Sequence, residues 1–189
     1  MTMLPTLDSP VAEATWSIRP ELPIDLDLIH DLHREVFPTS DMADLVDAVR
    51  SSAAFVPTLS LVAVASDGTI LGHALMSRVD FLPDQENAAR ESVLALAPIA
   101  VLPPHRGRGI GRALLTELLA EADTQPEPLS VVHGAPALFA GFGYRPAGAS
   151  GIRGPFEDGD PAFAVRVRPD ASDLGDGTVV LPPGFAIPA

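Results

Sequence analysis

The segment Ile99-Ala-Val-Leu-Pro-Pro-His-Arg-Gly-Arg-Gly-Ile-Gly111 constrains the fold more than any other part of the chain. An apolar run from Ser92 to Leu102 fits a strand buried on both faces and feeds straight into a glycine-rich turn. From Gly109 to Asp123, Ile110, Leu114, Leu115, Leu118 and Ala122 then recur at helical spacing. Gly107, Gly109 and Gly111 remove side chains where main-chain N–H groups must approach a ligand closely. The start of the helix adds unpaired N–H groups and the positive end of a dipole. Together these features make a pyrophosphate cradle that needs no lysine. Arg106, Arg108 and Arg112 place three positive charges there, in a chain whose net charge is −13. A β-branched residue at position 109 is expected to block the cradle.

The remaining segments interleave strands and helices. Trp16 to Leu22 reads as a first strand, after a loose arm over residues 1–15. Asp25 opens a helix with Leu28, Ile29, Leu32 and Val36 on one side, stopping at Pro38. Met42, Leu45, Val46, Val49 and Ala53 mark a second helix ending before Pro57. Leu59–Ala65 and Ile70–Leu82 flank Asp67-Gly68, a hairpin signal. Leu129–His133 reads as a short buried strand, Ala135–Phe142 as a short helix, and Ala162–Val167 as a closing strand. Thr178–Leu181 is either an edge strand or a packed extension. The order implies an α/β (α+β) chain with a mixed sheet covered by helices, in one domain over 16–168. Residues 169–189 form a C-terminal extension, packed on the domain or at an oligomer interface.

Composition removes several functions. The 189 residues include no cysteine, so disulfides, thiolate metal sites and cysteine nucleophiles are excluded. All 12 basic residues are arginine, which rules out the phosphate-binding lysine of a Walker A loop. The acidic surface repels phosphate backbones, so nucleic acid is not an expected partner. No apolar run reaches the ~20 residues of a membrane helix, and Met1 to Ala14 lacks the pattern of a secretory signal; a cytoplasmic location is expected. The spacing Arg106-x-x-Gly109-x-Gly111 does not fit a dinucleotide fingerprint.

Leu96-Ala-Pro-Ile-Ala-Val-Leu-Pro-Pro-His-Arg-Gly-Arg-Gly-Ile-Gly-Arg-Ala-Leu-Leu resembles the acetyl-CoA-binding motif of the GNAT superfamily. The elements around it follow the same order, from about Trp16 to Val167. Pro136 to Tyr144, Gly151–Phe156 and Leu181-Pro-Pro-Gly-Phe185 are similar to a bacterial subgroup of predicted N-acetyltransferases. The resemblance implies a mostly antiparallel central sheet flanked by helices, three layers deep. It implies that Ile99, Ala100 and Val101 offer main-chain groups to the pantetheine arm of acetyl-CoA. Arg106, Gly107, Arg108, Gly109, Ile110, Gly111 and Arg112 would hold the pyrophosphate. The implied reaction moves an acetyl group to a primary amine, the second partner, by direct attack in a ternary complex.

The motif departs from its relatives at the chemistry. An amine of pKa ~10.4 is about 0.1% neutral near pH 7.4, so losing its proton represents roughly 4 kcal/mol. Many members of the superfamily place a glutamate or histidine on the strand before the loop; here Ala95 and Ala97 stand there. Many also carry a tyrosine in the short helix after the next strand, where this chain has Phe139. Tyr144, the only tyrosine, reads as core. His133 is the main substitute base, since it ends the strand that should flank the thioester. The alternative is a histidine that satisfies a strand-end carbonyl. Glu91 could relay protons through water, and His73 lies mid-hairpin, where a structural role comes first. His105 is expected to cap or contact phosphate.

Two further groups read as structural. His30 and His33 stand one turn apart, but without a third ligand the pair reads as an exposed helix flank, and no metal is expected. Glu157-Asp158-Gly159-Asp160 reads as a solvated turn, or as a greeting surface for a cationic substrate. Besides amine acetylation, the residues allow a non-catalytic acyl-CoA-binding or sensing domain, or an α/β assembly protein whose loop serves only as a turn. Val179, Val180, Leu181 and Phe185 offer apolar surface for a homodimer.

Overall fold

A computed structural model describes residues 16–171 and 174–181; the arm expected over 1–15 and Phe185 lie outside them. The described strands form one sheet: β1 (Trp16–Pro20), β2 (Phe55–Ala65), β3 (Ile70–Pro83), β4 (Glu91–Val101), β5 (Leu129–His133), β6 (Arg145–Pro146), β7 (Ile152–Arg153), β8 (Phe163–Val167) and β9 (Gly177–Val180). The helices are α1 (Leu26–Val36), α2 (Asp41–Arg50), α3 (Ile110–Ala122) and α4 (Pro136–Ala140). The strand order is β1-β2-β3-β4-β5-β8-β6, with β9 paired to both β3 and β7. The β4–β5 and β7–β9 pairs run parallel and the other pairs antiparallel. This is the mixed, mostly antiparallel sheet expected. Among the described residues, no helix is long and apolar enough to cross a membrane.

Successive residues of β3 face different helices, as the two-residue period of a strand requires. Leu75, Val79 and Phe81 join Ile29, Leu32, Leu45, Val46 and Val49 of α1 and α2. Ala74 and Met76 join Leu114, Leu115 and Leu118 of α3 on the other face. With both faces covered, polar alternation disappears, which is why β4 reads as a continuous apolar run from Ser92. Each fully buried leucine here contributes about 1.5–3 kcal/mol of transfer free energy.

Three boundaries differ from the sequence expectation. Leu28 is 49% exposed, and the buried stripe of α1 runs through Ile29, Leu32 and His33 instead. The second helix stops at Arg50, leaving Ala53 outside it. The hydroxyls of Ser51 and Ser52 donate back to Asp47 O and Val49 O, at 2.9 and 2.8 Å, and close the helix end. Pro57 consequently lies inside β2, where the β2–β3 register slips between Phe55 and Ser60. Such a bulge accommodates a residue with no N–H.

Candidate active site

Strands β4 and β5 pair only from Leu94↔Ser130 to Leu96↔Val132. Beyond Leu96, β4 carries an extra residue against β3: Met76 faces Leu96, while Ala74 faces Ile99. This bulge falls at Ala97-Pro98, where proline has no N–H for the ladder. Between the parted strands lies a cavity of about 520 Å³. Pro98 and Ile99 line one side, His133 and Phe139 the other, Met42 of α2 reaches the same cavity, and so do Phe37, Pro38 and Thr39 of the α1–α2 connection. The sequence gives no period-based signal for that last contribution, because residues 37 to 40 belong to no helix or strand.

At the end of β4 the chain turns through Pro103–His105 into α3. Gly107 and Gly109 have φ of +76° and +82°, a region that L side chains rarely occupy. Gly109 is the N-cap of α3, and no side chain caps this end. The first α-helical bond is donated by Ala113 N–H to Gly109 O at 2.9 Å. The N–H groups of Ile110, Gly111 and Arg112 therefore have no α-helical acceptor. Arg106 donates through Nε to Val101 O at 3.0 Å, tying the turn to β4. The Arg112 guanidinium lies 5.4 Å from the Phe142 ring centroid. None of Arg106, Arg108 and Arg112 is paired with a carboxylate among the described residues. A turn of open donors and uncompensated cations in so acidic a chain fits a diphosphate.

The sequence-derived proton carriers are scattered by the fold. His133 ends β5, lines the cavity, and places Nε2 2.9 Å from Asp160 Oδ2. Glu91 is exposed at the opposite end of β4, five residues before Leu96, or roughly 17 Å along an extended strand. Phe139 is buried on the cavity wall, and Ala95 and Ala97 are buried too. Tyr144 is core, as expected: its Oη is 2.8 Å from Ser130 Oγ, and burial pushes its hydroxyl up to about 12. His105 is half-buried beside the turn, its Nδ1 shut from solvent without a hydrogen-bond partner among the described residues.

His73 belongs to a buried polar chain that sequence reasoning missed. Arg50 donates to both carboxylate oxygens of Glu21, at 2.7 and 2.9 Å. Ser60 Oγ donates to Glu21 Oε2 at 2.6 Å and stands 2.9 Å from His73 Nε2. His73 Nδ1 is 2.8 Å from His33 Nε2. One proton assignment satisfies every link: His33 Nε2–H donates to His73, and His73 Nε2–H donates to Ser60. Burial opposes the Glu21 charge, but the His73 imidazole 3.5 Å away and the hydrogen bonds from Arg50 and Ser60 outweigh it and hold the carboxyl down to about 2. The expected exposed flank at His30 and His33 is thus corrected. His33 is buried against His73, while His30 bonds Asp47 at 2.8 Å. No local period reveals this, since the partners lie on separate elements.

A mixed sheet that opens beside an uncapped, arginine-flanked helix start defines an α/β fold with a cleft and an anion-accepting turn side by side. Residues 26–137 match the model of the Acetyltransferase (GNAT) family, and the chain belongs to that family. Over 163 residues it is 32% identical to the uncharacterized N-acetyltransferase YhbS of Escherichia coli K12, covering 86% of this chain and 93% of that one. The crystal structure of YhbS in complex with CoA matches with a TM-score of 0.79 at 29% identity, over 90% of this chain and 91% of that one. A GNAT family acetyltransferase from Brucella melitensis in complex with acetyl-CoA matches with a TM-score of 0.70 at 25% identity, over 92% and 99% of the two chains.

Proposed function

We propose that the chain moves an acetyl group from acetyl-CoA to a primary amine of a small molecule, by direct attack in a ternary complex. The observation that carries this reading is the parting of β4 from β5 beside the open turn at Gly107–Gly111, which puts a cavity and an anion cradle at the two ends of one strand segment. The Escherichia coli and Brucella relatives are described with CoA and acetyl-CoA. In this chain the main-chain groups of Ile99, Ala100 and Val101 would receive the pantetheine arm. Arg106, Arg108, Arg112 and the N–H groups from Gly107 to Gly111 would take the diphosphate.

The acceptor nitrogen attacks the thioester carbonyl, a C–N bond forms, the C–S bond breaks, and the sulfur leaves as thiolate. His133 takes the proton that the nitrogen must lose. With Phe139 in place of a hydroxyl donor, the thiolate is protonated by solvent or by the imidazolium of His133. Positioning two reactants in one cleft supplies a large share of such an acceleration.

Calorimetry with CoA and acetyl-CoA, followed by a thiol-release assay across a panel of amines, tests the reading. Binding with acetyl-CoA-dependent thiol release is expected. No binding at millimolar ligand removes the coenzyme reading. Saturable binding with no release from any amine favours the sensing alternative.

A further inference from the structure

The turn that holds Asp160 has a geometry that a solvated acidic loop does not need. Asp160 Oδ1 accepts from Ala162 N–H at 2.8 Å, and the Asp160 N–H donates to Glu157 O at 3.1 Å. The carboxylate is therefore fixed from the main chain, with its second oxygen left for His133 Nε2 at 2.9 Å. Phe156 lies flat against the imidazole, with centroids 4.1 Å apart and planes 9° apart. Phe163 backs Phe156 at 5.1 Å. The ring of His133 is thus held by a stack on one face and an ion at one edge, with its side chain 13% exposed. The Ala162 N–H and then His133 hold the Asp160 carboxyl below the usual carboxylate range, so it is ionised at neutral pH.

An ionised carboxylate only accepts, so the proton of a neutral His133 sits on Nε2 and the lone pair on Nδ1. Nδ1 makes no hydrogen bond among the described residues. The charged groups around this ring are Asp160, with Glu157 and Asp158 beside it, Asp41 among the residues lining the cavity, and Arg153, which lines the neighbouring pocket with Asp160 and is paired with Asp84. No arginine lines that cavity.

We propose that Asp160 is a positioning residue, which locks His133 in the Nε2–H tautomer and leaves Nδ1 to take the acceptor's proton. The inference rests on the reading of His133 as the base. The proton moves from the acceptor nitrogen to Nδ1, and the resulting imidazolium is paired with the Asp160 carboxylate. Phe156 keeps the ring plane fixed while the charge changes.

Two measurements decide it. In the wild-type chain, long-range proton–nitrogen NMR of the histidines should report His133 as the Nε2–H tautomer; an Nδ1–H tautomer overturns the proposal, with or without an acceptor in hand. Kinetics then use acetyl-CoA with the amine of the panel that gives the fastest thiol release. Asp160→Asn is expected to lower kcat by about tenfold or more, at unchanged KM for acetyl-CoA. It should also move the acid limb of the kcat/KM profile to lower pH, because a neutral amide no longer stabilises the imidazolium. His133→Gln should abolish that limb. Wild-type turnover in His133→Gln removes the base itself. Loss of turnover in His133→Gln together with a wild-type rate and pH profile in Asp160→Asn removes only the positioning role.

Discussion

Nε2 of His33 on α1 lies 2.8 Å from Nδ1 of His73 on β3, and neither side chain meets solvent. Burial holds both imidazoles below the ordinary histidine value, His33 down to about 2. Folded, they stay neutral; unfolded, they bind protons below about 6.5. Stability is therefore complete above that pH and is lost as pH falls, for His33 down toward 2, by at most about 1.4 kcal/mol per pH unit, and His73 adds a loss of the same sign. Glu21, held down to about 2, adds a loss of the same sign below about 4.5. Denaturant unfolding between pH 7 and 5 should show the steep slope, and His33→Phe should reduce it by about one proton. An unchanged slope in that variant would contradict the assignment.

Gly109 is constrained by its backbone rather than by neighbouring atoms. A Cβ there would meet nothing within 4 Å, so the site resists substitution through its φ of +82° and not through crowding. Gly109→Ala is expected to lower the unfolding free energy by about 1–2 kcal/mol. The α3 N–H groups would be re-aimed at the same time, and acetyl-CoA affinity should fall by roughly tenfold or more. Calorimetry paired with thermal unfolding separates the two effects, and an unaltered Kd would argue against the cradle.

Arg108 is exposed and carries no carboxylate partner among the described residues. Arg108→Ala should weaken CoA binding by about tenfold at low ionic strength, the scale of one charge-assisted hydrogen bond. The gap between variant and wild type should narrow as salt is raised, since exposed charges are screened. Titrations at two salt concentrations read this directly.

Phe139 packs edge-on against Tyr144, with ring centroids 5.8 Å apart, on the wall of the cavity. Phe139→Tyr adds a hydroxyl at the place to which the family resemblance assigns one. If departure of the thiolate limits turnover, kcat should rise severalfold with CoA affinity unchanged. A constant kcat would mean that another step limits. An unpartnered hydroxyl would lower stability by about 1–3 kcal/mol, visible in thermal unfolding.

The strand, turn and helix from Ser92 to Asp123 are legible because burial on both faces and helical spacing are properties of neighbouring residues. The same holds for Leu129–His133 and for the core role of Tyr144. Asp160 is not legible as a partner of His133. Its place beside the imidazole depends on the register of β8 against β5, where His133 faces Phe163. His33 fails for a related reason: its partner is 40 residues away across a sheet. The early stop of α2 depends on two serine hydroxyls that compete with the helix, an effect that apolar spacing does not record. Tertiary pairing, which no local period encodes, accounts for the misses at Asp160 and His33, and local side-chain bonding to the backbone for the one at α2.

The pairing of β9 ties the two ends of the sheet to one late segment. This strand arrives at Gly177, bonds to β3 at Asp80–Pro83, and runs beside β7 at Ile152–Arg153, just upstream of the turn with Asp160. The turn at Gly107–Gly111 rests on β4 and on α3, whose buried leucines pack against Ala74 and Met76 of β3. Loosening β9 would therefore act directly on the segment leading to Asp160 and reach the glycine turn only through β3.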